Sequence, residues 1–155
     1  MRIPPVALFA AAAAAQAKLP RRARRHPVPT ALAAGLALAS AGLGLAAVAR
    51  FRAAGTTVDP VDVERSSRLV QDGPNSLTRN PMYVALAVLL AAHALWRRAA
   101  WAALPVAVFV FAIDRWQIPA EEAALRARFG AAFDDYCSRV PRWLGLPEPP
   151  GRSRT

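Results

Sequence analysis

Apolar and polar positions alternate along this chain in long blocks, and four apolar blocks precede a change of pattern near residue 119. Thr30–Ala49 is the clearest: it carries no charged residue and matches the roughly 20 residues that a helix needs to cross a bilayer core. Pro81–Trp96 and Ala99–Ile118 form a second pair, joined only by Arg97-Arg98. That join predicts a tight antiparallel helical hairpin with two arginines at head-group level. Pro4–Ala17 is a weaker block. It follows Arg2 and ends Ala14-Ala15-Gln16-Ala17, which resembles a secretory signal segment; we read it as a retained first helix.

From residue 118 the period becomes helical and amphipathic. Ile118, Glu122, Leu125 and Phe129 share one stripe, Gly130 is a stop signal, and Phe133, Tyr136, Cys137 and Val140 form a second stripe ending at Pro141. These predict two short helices at the head groups, lying as a lid over the hairpin, followed by the interface-favouring Arg142-Trp143. Pro105 and Pro119 are expected to bend the fourth helix or free carbonyls one turn back. Asn80 directly before Pro81 predicts a capped helix start. Gly55–Pro60 reads as a turn or extended piece, Val61–Val70 as a short interfacial segment, and Gly73-Pro74 as a turn.

The predicted fold class is therefore all-α integral membrane, a single domain over residues 1–155 with about four transmembrane helices (4–17, 30–49, 81–96 and 99–118). A loop at 50–79, an amphipathic tail at 119–143 and a disordered end at 144–155 complete it. Within Thr30–Ala49, Ser40 and Gly44 show the small-residue spacing that lets helices approach closely in lipid. An alanine- and glycine-rich composition produces the same pattern with no packing role.

Composition agrees with this class: 55% of residues are hydrophobic and the mean hydropathy is +0.22. The net charge of +10 raises nucleic acid as a partner, but the arginines sit between apolar spans, where lipid head groups select them. No nucleic-acid partner is expected. Cys137 is the single cysteine, and His26 and His93 lack metal-ligand spacing to it, so no metal is expected. If the 50–79 loop and the tail are cytoplasmic, thirteen basic residues lie inside and seven outside (Lys18, Arg21, Arg22, Arg24, Arg25, Arg97 and Arg98). The count favours that orientation, although the dense Lys18–Arg25 cluster opposes it. Asp114 and Arg115, near the inner end of the fourth span, are costly at that depth and point either to function or to simple solvation at the interface.

Two polar clusters then stand out at what should be one membrane face. They are Leu77-Thr78-Arg79-Asn80-Pro81-Met82-Tyr83 and, forty residues on, Pro119-Ala120-Glu121-Glu122. Together with Gly55-Thr56-Thr57-Val58-x-Pro60, Asp72-Gly73-Pro74, Phe129-Gly130-x-x-Phe133-x-x-Tyr136 and Val140-Pro141-Arg142-Trp143, they make the chain resemble the isoprenylcysteine carboxyl methyltransferase and phospholipid methyltransferase families over about residues 45–144. Three positions depart from the common pattern. Asn75 stands where a Tyr is frequent, Asn80 where a His is frequent, and Ala85 where a Gly is frequent, which could tighten space beside a cofactor.

The resemblance implies S-adenosyl-L-methionine as methyl donor, bound between the hairpin's inner ends and the tail. It implies Glu121, Glu122 and Arg79 as catalytic residues, and Arg79, Asn80, Pro81, Tyr83, Glu121, Glu122, Tyr136, Arg139 and Arg142 as cofactor-binding residues. The implied acceptor is lipophilic: an isoprenylcysteine-like carboxylate, a phospholipid amine, or a small thiol or amine reaching the site from the bilayer. An amine acceptor must lose a proton, which gives Glu121 or Glu122 a role as base. A bacterial inner-membrane location with the site facing the cytoplasm follows. The competing reading is a non-catalytic membrane scaffold or complex subunit, motivated by the small-residue spacing of the second helix.

Overall fold

The computed structural model describes residues 4–20, 27–55 and 68–145, and every regular element among them is helical. Six α-helices run in order: α1 Pro5–Lys18, α2 Pro27–Ala53, α3 Pro81–Arg97, α4 Ala103–Ala112, α5 Ile118–Phe129 and α6 Ala131–Arg139. Prolines open α1, α2 and α3, where a missing N–H costs nothing because the first turn has no intrahelical acceptor for it. Most of the Gly55–Pro60 turn, most of Val61–Val70, and the end of the chain from residue 146 lie outside the described residues.

Among the described residues two helices are long and apolar enough to cross a membrane, Pro29–Ala53 and Ala100–Phe129. The sequence predicts about four spans; α3, with 17 residues, is at the short limit for a spanning helix and α1, with 14, is below it. Leu38 and Leu45 on α2, and Leu104, Val108 and Phe111 on α4, point outward and exposed, an apolar exterior suited to lipid.

Helix α2 packs most closely on α3. Ala33, Ser40 and Ala47 are its buried positions, one seven-residue seam of small side chains. Ser40 Oγ donates to the Ala85 carbonyl at 2.7 Å, and a Cβ added at Gly44 would lie 3.6 Å from the Ala85 Cβ. The Ser40/Gly44 spacing therefore does pack helices, whereas Gly35 and Gly42 face open space. Ala85 is correspondingly a contact for α2.

Helix α1 is a packed part of the fold. Phe9 sets its ring edge-on to Phe109 at 6.3 Å. Gln16, fully buried, donates to the carbonyls of Leu90 at 3.1 Å and Ala102 at 2.8 Å and accepts from His93 Nδ1 at 2.8 Å. One amide thus ties three segments together, which explains a His inside an apolar run. Tyr83, Leu90, Phe109, Ile113 and Ile118 form the core between α3 and the long fourth helix.

The hairpin turn also ties down the first two helices. Arg97 is buried and donates to the Leu19 carbonyl, while Arg98, at φ 55, donates to Thr30 Oγ1 at 3.1 Å. The two arginines pin the ends of α1 and α2 to the turn.

The fourth span and the first amphipathic helix are one continuous helix, Ala100–Phe129, and the irregularity expected one turn before Pro119 is present as a widened turn. A π-turn over Ile113–Gln117 makes continuity possible, with the Ile118 amide bonded five residues back to Ile113. Proline 119 has no N–H and would crowd the carbonyl four residues earlier; widening the preceding turn accommodates both effects.

The α2–α3 seam makes a specific prediction. Gly44→Leu should separate the helices and cost about 1–3 kcal/mol, while Gly42→Leu should leave stability within about 0.5 kcal/mol. Thermal melts of the two variants in the same detergent compare them directly.

Candidate functional site

The approach to α3 is turned toward the segment that follows α6. Thr78 Oγ1 and Asn80 Nδ2 both donate to the Arg142 carbonyl, at 2.9 and 3.0 Å. The Arg79 amide donates to Pro141 O at 2.9 Å. Asn80 occupies the cap position of α3 but its side chain makes no capping bond, which corrects the expected cap: the amide is used across 62 residues of sequence instead.

Arg79 lies at the centre, its side chain only 6% exposed. Nη1 donates to the carbonyls of Cys137 at 3.2 Å and Val140 at 2.6 Å. These belong to the end of α6, where carbonyls have no intrahelical donor and a cation is favoured. Nη2 donates to Glu122 Oε1 at 2.9 Å. Arg142 completes the arrangement with two bonds to the same carboxylate, Nη2 to Oε2 at 2.6 Å and Nε to Oε1 at 3.2 Å. Glu122 is thus held between two guanidiniums. Arg142 Nη1 lies 3.4 Å from Asp114 Oδ1, which also accepts from the Trp143 indole at 2.9 Å. Asp114 therefore faces the site and is not merely solvated at an interface, whereas Arg115 points outward over the Phe111 ring.

Glu121 sits in different surroundings. Tyr83 Oη donates to its Oε1 at 2.5 Å and Gln117 Nε2 to the same oxygen at 2.6 Å. Both donors are neutral, and both are nearly buried. Asp114, Gln117 and Glu121 follow at three- and four-residue intervals on the long helix, so the π-turn and the turn after it present all three to one side. The two expected clusters do meet: Arg79 bonds Glu122, and Tyr83 bonds Glu121.

The remaining expected residues separate into groups. Pro81 is buried at the first position of α3 and shapes the corner. Tyr136 is buried behind α6 and donates to the Asn75 carbonyl at 2.6 Å. Burial pushes its hydroxyl up to about 12, so it stays a donor at any physiological pH. It packs with Phe133 and Val140, as the stripe predicted. Burial also pushes the neighbouring Cys137 thiol up, which disfavours a reactive thiolate. Arg139 is exposed and pairs with Asp135 at 2.8 Å and Gln71 at 3.0 Å. Thr78, Gln117 and Trp143 carry bonds in the site that sequence reasoning did not assign. Gln117 had no signal at all, being one amide at the end of an apolar block.

A model of phospholipid methyltransferases matches residues 28–132 of the chain, which include Arg79, Tyr83, Glu121 and Glu122. The chain belongs to the phospholipid methyltransferase family. The match starts earlier than the resemblance at residue 45 and stops before the Val140–Trp143 segment that the family residues bind here. An uncharacterized protein of Haemophilus influenzae is 38% identical to this phospholipid methyltransferase family member over 63 residues, 41% of this chain and the whole of that protein. No solved structure matches it. Membership and the two long apolar helices support a membrane methyltransferase.

Removing the central guanidinium tests the architecture. Arg79→Ala leaves Glu122 and two helix-end carbonyls short of a donor, a loss of about 3–5 kcal/mol for a buried ion pair. Trypsin should then cut after Arg139 or Arg142 at least roughly tenfold faster than in the parent protein. Arg126→Ala, which removes an exposed pair with Asp134, should change that rate little.

Proposed function

We propose that the chain is an S-adenosyl-L-methionine-dependent methyltransferase acting at the membrane surface on a lipophilic acceptor. The acceptor is an isoprenylcysteine-like carboxylate, a phospholipid amine, or a small lipophilic thiol or amine. The observation that carries this reading is the meeting of Arg79 with Glu122 and of Tyr83 with Glu121, two sequence-distant clusters in one site.

The donor set suits the proposed cofactor chemically. A carboxylate such as Glu121, which accepts from a phenol and an amide, can take an ammonium or a ribose diol, a guanidinium can take a carboxylate, and Tyr83 and Trp143 offer aromatic surface. S-adenosyl-L-methionine supplies an electrophilic methyl on a sulfonium, and the acceptor atom bonds to that carbon as the carbon–sulfur bond breaks. The chain's task is to orient the reacting pair and keep water from it. The segment Val140–Trp143, tied down by Thr78, Arg79, Asn80 and Asp114, is the proposed cover.

Within this reading the roles divide. Glu121, Tyr83 and Arg142 are the proposed ligand-facing groups, with Gln117 fixing the Glu121 carboxylate. Glu122 and Arg79 hold the tail against the helices, and Asn80 and Pro81 set the corner. Tyr136 supports α6 from behind, and Arg139 is assigned to the surface. For an amine acceptor Glu121 is the proposed base, because Glu122 is engaged by two permanent cations and would release them on protonation. The four spans, with the site on the cytoplasmic side of a bacterial inner membrane, remain part of the proposal. The spacing of Ser40 and Gly44 that motivated a scaffold role serves the contact with α3 inside this chain, so nothing specific favours that alternative.

Calorimetry on purified protein in detergent, with S-adenosylhomocysteine as ligand, tests the assignment. Binding is expected, and Glu121→Gln should weaken it roughly tenfold or more, the scale of a lost charge-assisted hydrogen bond. Absence of heat from folded protein at millimolar ligand would refute the activity. Unchanged affinity in Glu121→Gln would refute the site. A lipid extract incubated with labelled donor then identifies the acceptor class.

A further inference from the structure

Every acidic residue of the chain lies either between Asp59 and Asp72 or from Asp114 onward. The opposite end is made by the end of α1, the start of α2 and the α3–α4 turn, where the described residues include Lys18, Arg97 and Arg98 and no acid. At that end α1, α2 and α3 enclose an apolar groove of about 460 Å3, within the size range of ligand pockets. Its walls are small on one side and large on the other: Ala33 and Ala37 of α2 face Leu89 and Trp96 of α3, with Phe9 of α1 closing the floor.

The groove has the polarity of a lipid. Thr30 at its rim accepts from Arg98, and Arg97 is fixed beside it on Leu19, one residue after Lys18. Trp96 lines the groove and Trp101, strongly exposed, lies just past the turn; tryptophans at such a position mark head-group depth. Below the rim the lining is alanine, leucine and phenylalanine, with His93, bonded to Gln16, among them. Trp96 follows Tyr83 by thirteen residues, which at about 1.5 Å per residue places the rim roughly 20 Å along α3 from the proposed reaction site.

We propose that this groove binds an anionic bilayer phospholipid, with a hydrocarbon chain against Ala33, Ala37 and Leu89 and the phosphate at the Lys18, Arg97 and Arg98 rim. Basic pockets between membrane helices bind anionic head groups on cytoplasmic faces, and the same charge complementarity is proposed here at the opposite end. The site is separate from the proposed methyl-transfer site and its ligand need not be a substrate.

The full chain in a non-ionic detergent, titrated with phosphatidylglycerol or phosphatidylcholine of identical chains, tests this by native mass spectrometry. Phosphatidylglycerol should be held at least roughly tenfold more tightly. The double variant Lys18→Gln/Arg98→Asn should lose about fivefold of that preference per cation removed; asparagine tolerates the left-handed backbone at Arg98. Ala37→Trp, which fills the groove, should lose both lipids. Helical content and melting temperature establish that each variant is folded; if Ala37→Trp is not, Ala34→Leu, at an exposed lining position, replaces it. Equal retention of the two lipids, an unaltered preference in the double variant, undiminished binding after filling the groove, or a dimer whose formation excludes lipid would each overturn the proposal. None of these outcomes depends on methyl transfer, so they are distinct from the test of the activity.

Discussion

A guanidinium cannot shed its charge, so burying one obliges the fold to surround it with acceptors. Arg79 is that constraint here. Its side chain is almost inaccessible, and it donates to acceptors on α6, on the residue after α6, and on α5. The start of α3, the inner end of the long helix and the tail can be satisfied together in few arrangements. Buried ion pairs contribute modestly to stability but strongly resist the loss of one partner, so the pair with Glu122 acts mainly to specify geometry. Arg142 repeats the device from the other side of the same carboxylate.

The long helix carries both the membrane span and half of the site, and the π-turn at Ile113–Gln117 lets it do so. An apolar segment facing lipid and core must become a segment facing polar ligands without ending the helix. Pro119 forces the irregularity, and the widened turn presents Asp114 and Gln117 alongside Glu121. Adjacent glutamates thereby acquire different tasks. Glu122 is neutralised by arginines, whereas Glu121 receives hydrogen bonds from a phenol and an amide, which makes it the more responsive of the two toward a ligand.

The two ends of the bundle divide chemistry in the same way. The described acidic residues from Asp114 onward gather at the site end, where they pair with arginines such as Arg79, Arg126 and Arg142. At the other end the arginines of the hairpin turn donate to a backbone carbonyl and a hydroxyl group.

Much of this was legible from local sequence. Hydrophobic block lengths, the prolines that begin α1 and α3, the Gly130 stop and the Phe133–Tyr136–Val140 stripe are consequences of helical period and backbone sterics, which act over a few residues. The motif residues around Asn80-Pro81 and Glu121-Glu122 marked the site for the same reason. The sequence could not say whether Pro119 would break or widen a helix, whether Asn80 would cap α3 or cross to Arg142, or that Gln16 and His93 would find each other. Nor could it tell which glutamate would be held by arginines. Those outcomes depend on donors and acceptors brought together from 20 to 86 residues apart, and only the packed tertiary structure selects among the partners that each buried polar group could take.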